Sequence, residues 1–147
     1  MFKHILLPTD GSRLSERGVK AGISLAKALG ARITGVYVVS PYAPVIYADA
    51  AYIPPNALKE YQQAAESHGA KVLAKLEREA RAAGVPCATQ VVTDAQIWQG
   101  ILKVARARKC DAIAMASHGR GGLGGLLLGS ETSRVLSHSK IPVLVAR

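Results

Sequence analysis

The sequence predicts an α/β protein: a five-stranded parallel sheet, doubly wound in the order 3-2-1-4-5, with helices on both faces. Three observations predict it. Short, nearly continuous apolar runs alternate with segments of helical period, which is how strands buried on both faces read. Capping residues and glycines fall at the junctions, Ser12 and Gly30 around one helical segment and Gly84 after another. Right-handed crossovers between parallel strands then leave a doubly wound sheet as the simplest topology. A length of 147 residues suits one domain over the whole chain, 1–147, large enough to bury a core.

Each element follows in order. His4 to Pro8 is a short buried strand built on Ile5-Leu6-Leu7 and stopped by proline. Ser12 caps a helix running to about Leu29, with Leu14, Val19, Ile23 and Ala26 on one face and Gly30 at its C-terminus. Ala31 to Val39, rich in β-branched residues, is the second strand. Residues 40–57 hold four prolines and three tyrosines and read as a long loop, either a binding lid or a surface excursion pinned by its tyrosines. From Asn56 to Ala83 the apolar phase of Leu58, Tyr61, Ala65, Val72, Leu76 and Ala80 marks an amphipathic helix packed on the sheet. Val85 to Val92 is the third strand. Asp94 is expected to cap a helix reaching Arg108, with Ile97, Ile101, Leu102 and Ala105 inward. Asp111 to Ala116 is the fourth strand, Ser130 opens a helix to about His138, and Ile141 to Ala146 is the last strand.

Composition narrows the function. No apolar run approaches the roughly 20 residues needed to span a bilayer, and the N-terminus lacks a signal-peptide pattern, so a cytoplasmic protein without a membrane partner is expected. Cys87 and Cys110 form no CxxC pair and read as small buried hydrophobes. The four histidines show no metal-ligand spacing. The net charge is +9, and from residue 101 onward eight Lys/Arg stand against two acids. The basic half is therefore also the glycine-rich half, which suits a small polyphosphate as well as it suits a duplex. With no contiguous basic run and one Trp and one Phe, a nucleic-acid partner is not expected.

In a sheet of this order, ligands bind beyond the carboxyl ends of the first and fourth strands, where the winding reverses. The two loops placed there are Pro8-Thr9-Asp10-Gly11-Ser12 and Ser117 to Ser130. The second holds Gly119, Gly121, Gly122, Gly124, Gly125 and Gly129, whose backbone N–H groups can approach a phosphate without a Cβ in the way. Gly129-Ser130-Glu131-Thr132 adds the positive end of a helix. The Ser130 and Thr132 hydroxyls are placed to donate to phosphate oxygens and Arg120 to pair with them. Asp10 either meets a ribose hydroxyl or a phosphate-bound Mg²⁺ through water, or forms an Asx-turn before the helix. His118 beside Ser117 reads as a polar lining residue, since no acid partner for a general base is apparent. The stretch from Gly119 to Gly124 spells GxGxxG, but it follows the wrong strand and lacks the downstream acid of a dinucleotide site. There is no GxxxxGK[ST] and no GxSxG.

Taken together, Pro8-Thr9-Asp10-Gly11-Ser12, Ser117-His118-Gly119-Arg120 and Leu128-Gly129-Ser130 resemble the universal stress protein family, over essentially the whole chain. The resemblance implies an adenine nucleotide alpha hydrolase-like fold. The family's nucleotide-binding branch carries Gly, two residues, Gly, nine residues, Gly, Ser/Thr. Here Gly119, Gly129 and Ser130 match, while Ala116 stands at the first glycine. An extra methyl there is a small obstacle on ordinary backbone and a serious one at positive φ. By resemblance, Pro8, Asp10 and Val38 would meet base and ribose, Met115, Ala116 and Gly119 would flank them, and Gly129, Ser130, Glu131 and Thr132 would hold the phosphates. Thr9 and Arg120 belong to the same two loops. The resemblance further implies ATP or another adenine nucleotide with Mg²⁺, a regulator with at most slow ATP hydrolysis, and a homodimer. The uncharged strand Ile141 to Ala146, at a sheet edge, independently calls for a partner strand, and the family implies its own copy. Two other readings stand beside this one: an interaction module that no longer binds ATP, working through its dimer surface and the 40–57 loop, and a phosphohydrolase using Asp10 and His118.

Overall fold

A computed structural model describes residues 1–41, 55–118 and 128–147. These form β1 (His4–Pro8), α1 (Arg13–Leu29), β2 (Arg32–Val39), α2 (Ala57–Ala82), β3 (Cys87–Thr93), α3 (Ile97–Ala107), β4 (Ala112–Ala116), α4 (Ser130–His138) and β5 (Val143–Ala146). The strands are parallel and make one sheet in the order β3-β2-β1-β4-β5, as the alternating pattern predicts. β1 registers Ile5 against Ile33 of β2 and against Ala112 of β4, so it sits at the centre.

Alternation along β1 divides the core between the two faces. Ile5 and Leu7 join Val19, Ile23, Leu73 and Leu76 under α1 and α2. Leu6 joins Ile101, Val104, Ile113, Met115 and Val135 under α3 and α4. Ile5, Leu6 and Leu7 are all fully buried, each worth about 2 kcal/mol relative to exposure. At Gly18 α1 lies directly on strand backbone, and a Cβ there would stand 2.3 Å from the Ala116 nitrogen. At the opposite end of the sheet His4 is buried, its Nε2 2.8 Å from the Thr34 hydroxyl.

The caps explain the boundaries. Ser12 accepts from the Ser15 N–H at 3.1 Å, and Gly30 ends α1 at φ 64° with the Ala31 N–H bonded to Ala26 O at 2.9 Å. β3 begins two residues later than expected. The Val85 N–H is used in closing α2, bonding Ala80 O at 2.9 Å, and Pro86 has no N–H to give. β5 is shortened for the same reason: Ser139 Oγ takes the Ile141 N–H at 3.2 Å, and Pro142 has none. Asp94 does not cap α3. The N-cap is Gln96, and Asp94 instead accepts from the Gln96 N–H at 3.1 Å and pairs with Lys103 at 2.6 Å. No described helix is long and apolar enough to cross a membrane.

Candidate functional site

The carboxyl ends of β1, β2 and β4 open into a cleft of about 620 Å³. Its floor and one wall come from the first of the two loops. After Pro8, the Thr9 N–H bonds Val36 O at 3.0 Å and prolongs the β1–β2 ladder by one step. Asp10 then accepts from the Ser12 N–H through Oδ1 at 2.9 Å, so the Asx-turn is formed. Gly11 turns the chain at φ 76°, a conformation that disfavours a side chain, and a Cβ there would also strike Val72 of α2 at 2.6 Å. The Thr9 hydroxyl, 3.0 Å from Ser15 Oγ and accepting from the Gly11 N–H at 3.2 Å, locks this turn to α1.

The opposite wall is the N-terminus of α4. Gly129 is the N-cap, and its N–H returns to Ser117 O at 2.8 Å. A Cβ on Gly129 would stand 3.1 Å from that oxygen and 3.3 Å from His118 Cα, so glycine lets the strand end and the helix start meet. His118 Nδ1 lies 3.1 Å from Ser117 Oγ. The Thr132 hydroxyl, only 2% exposed, donates to Ala116 O at 3.0 Å. That corrects one expectation: a single hydroxyl proton committed to a buried carbonyl is not available to a phosphate, so Thr132 serves as the brace between β4 and α4.

Of the residues picked out from the sequence, Pro8, Thr9, Asp10, Val38, Met115, Ala116, Gly129, Ser130, Glu131 and Thr132 all line the cleft. Gly119 and Arg120 lie outside the described residues, as does most of the 40–57 loop. Ala116 pairs with Ala146 on strand backbone. Lys109 is the one non-glycine residue at positive φ among those described, so the Ala116 methyl sits on unstrained geometry.

Glu131 does something the sequence did not suggest. Its Oε2 accepts from the Trp98 N–H of α3 at 2.9 Å, supplying the cap that Gln96 does not, and its Oε1 pairs with Arg134 at 3.4 Å. Trp98 also stacks on His138 with ring centroids 4.4 Å apart, so α3 and α4 are tied at two points.

The third wall comes from residues that the helical phase alone assigns to the core. Tyr61, Ala65 and His68 of α2, with Ile97 and Ile101 of α3, border the cleft, and Tyr37 meets His68 edge to face at 5.9 Å. A tyrosine and a histidine on the inward phase of α2, in its first turns, are the signal that marks this wall. Both thiols lie away from it; burial first, then a nearby carboxylate, pushes Cys87 and Cys110 up to about 11, which makes them poor nucleophiles at neutral pH. Among the described residues no cluster of three or more His, Cys, Asp or Glu could hold a metal.

Comparison with known proteins agrees with this architecture. The universal stress protein family model matches residues 1–147. A universal stress protein of Thermus aquaticus is 34% identical over 148 residues, covering 100% of both chains. The solved structure of UspA from Lactobacillus plantarum has the same fold, with a TM-score of 0.83 at 22% identity over 99% of this chain and 98% of that one. A universal stress protein solved in complex with cAMP aligns with a TM-score of 0.69 at 23% identity, over 99% and 97%.

Proposed function

The chain belongs to the universal stress protein family, and we propose that it is a stress-response regulator whose 147 residues form one nucleotide-binding domain for ATP or another adenine nucleotide. The observation that carries this reading is the cleft at the winding reversal, bounded on one side by the Thr9–Ser12 turn and on the other by the N-terminus of α4. A volume of about 620 Å³ lies within the roughly 300–1,000 Å³ usual for small-molecule sites. Its mixed lining suits such a ligand. Val38, Met115 and Pro8 offer apolar surface to a base, and Asp10 a carboxylate to a ribose hydroxyl. The N–H groups of Ser130 and Glu131 and the Ser130 hydroxyl offer donors to phosphate at a positive helix end. That a protein of this fold has been solved with cAMP is in keeping with the same class of ligand. Mg²⁺ would enter on the phosphates, with Asp10 reaching it through water. We read the protein as a nucleotide-gated regulator with at most slow ATP hydrolysis.

The second part of the proposal is a cytoplasmic homodimer. β5 is the last strand of the sheet, and Leu144 on it is 45% exposed. Apolar edge strands of this kind are normally covered, and a second copy of the same strand is the simplest cover. That exposed edge also favours the alternative reading, an interaction module that works through this surface without ATP. Denaturing the purified protein and analysing the supernatant for nucleotide, followed by calorimetric titration with ATP–Mg²⁺, separates the two. Released nucleotide or a saturable heat is expected. Neither, at millimolar ATP, overturns the nucleotide reading. Ala116→Gly is expected to change affinity by less than about threefold, because the methyl adds no backbone strain.

A further inference from the structure

Glu131 occupies the second position of α4 and lines the cleft, yet its carboxylate is held by the N–H of Trp98 in a different helix. A negative charge is thereby fixed between two positive helix ends, those of α3 and α4. It cannot swing out to solvent without releasing α3 from its cap. Ser130, the residue next to it, begins the helix end to which the nucleotide reading assigns the phosphates. Among the described residues lining the cleft the other acid is Asp10; Arg120, the cation the sequence places on the second loop, lies outside them. Arg134, on the far oxygen at 3.4 Å, is itself 54% exposed and compensates only part of the charge.

We propose that Glu131 sets the phosphate-charge selectivity of the cleft. It disfavours free polyphosphate and favours adenine nucleotides with one or two uncompensated phosphate charges: a cyclic phosphate, a monophosphate, or a triphosphate only with Mg²⁺. The inference rests on the nucleotide reading of the same cleft. At low ionic strength and in surroundings close to water in dielectric, a like charge roughly 8 Å away costs about two- to threefold in affinity per added charge. Between AMP and Mg²⁺-free ATP, which differ by about two charges, the discrimination is on the order of tenfold.

The test is a calorimetric titration of the full chain with cAMP, AMP and ATP at low ionic strength, in EDTA and again with saturating MgCl₂. Wild type is compared with Glu131→Gln, which keeps an oxygen for the Trp98 N–H and removes the charge. In EDTA the glutamine variant is expected to raise ATP affinity about tenfold relative to AMP, with the smallest effect on cAMP. With MgCl₂ most of that gain disappears, a response that a purely structural cap would not give. Glu131→Asp keeps the charge on a shorter arm and is expected to leave the ATP-to-AMP ratio near wild type. Should Glu131→Gln not fold, Arg134→Gln is expected to lower the ratio by uncovering the carboxylate. An unchanged ratio in EDTA for Glu131→Gln, or an equal rise for all three nucleotides, overturns the inference and leaves the nucleotide site standing. No binding of any nucleotide by wild type overturns both.

Discussion

Replacing Gly18 by alanine tests the closest approach of helix α1 to strand backbone. A Cβ built at Gly18 stands 2.3 Å from Ala116 N, 2.6 Å from Met115 C and 3.0 Å from Met115 Cα. Carbon and backbone atoms settle at about 3.5 Å, so α1 must retreat from β4 by roughly 1 Å. The obstacle is strand backbone, with no rotamer to swing away. Retreat would loosen Val19, Ile23 and Ala26, which are now 4%, 7% and 0% exposed against the sheet. Alanine gains about 1 kcal/mol over glycine in helix propensity. Overpacking against an immovable wall costs about 3 kcal/mol. The balance is a net loss of about 2 kcal/mol, or a fall of about 4–8 °C in Tm for a chain of this size. Thermal and urea unfolding followed by circular dichroism would measure it. Because Met115 and Ala116 also line the cleft, any nucleotide affinity should fall with it. A Tm equal to or above wild type would refute the reasoning, since propensity would then have outweighed a clash that the packing says is unavoidable.

Three further outcomes follow from the same structure. Thr132→Val keeps the shape but leaves the buried Ala116 carbonyl without its donor, and should cost about 1–3 kcal/mol in urea unfolding; a loss below 0.5 kcal/mol, roughly the noise of such a series, would count against the brace. His4 is held below its usual 6.5 by burial and then by Arg32, with Asp111 opposing. Its contribution to stability is therefore complete above pH 6.5 and shrinks as the pH falls below that value. Wild type should lose more stability than His4→Gln on going from neutral to mildly acid solution, and parallel pH curves would contradict this. Leu144→Lys on the exposed edge of β5 should convert a dimer to a monomer in sedimentation velocity while leaving the circular dichroism unchanged; a dimer that persists would place the interface elsewhere.

The sheet was legible because its signal is local and repeated. Ile5-Leu6-Leu7 or Ala112 to Ala116 can be buried on two faces only in the middle of such a fold, and strand order follows from handedness. Two walls of the cleft were legible for a related reason: Asp10 and Gly129-Ser130 sit where strands end, and topology says which end matters. The α2 wall was not. Helical phase tells that Tyr61 and Ala65 face inward, and the crossover puts the start of α2 at the carboxyl edge, but neither tells how far its turns overhang the cleft before Leu73 and Leu76 settle on the sheet. The caps divide in the same way. Ser12 binds a neighbour three residues on and could be read, whereas α3 takes its cap from Glu131, 33 residues from Trp98, and no local rule reaches that far. Asp94 satisfied the local rule and was passed over because Lys103 and the Gln96 N–H already hold it.

The stem beneath the second loop has a bearing on how this protein can vary. Gly129 N–H to Ser117 O at 2.8 Å and Thr132 hydroxyl to Ala116 O at 3.0 Å clasp the two roots of the excursion side by side. Once the roots are joined in that way, the entropy of joining them depends only logarithmically on what runs between, about 0.6 kcal/mol for each doubling of length. A change in chain length between residues 118 and 128 is therefore expected to alter the closure entropy by no more than that. What must stay is the clasp itself, a glycine at 129 and a hydroxyl at 132, which join the end of β4 to the start of α4.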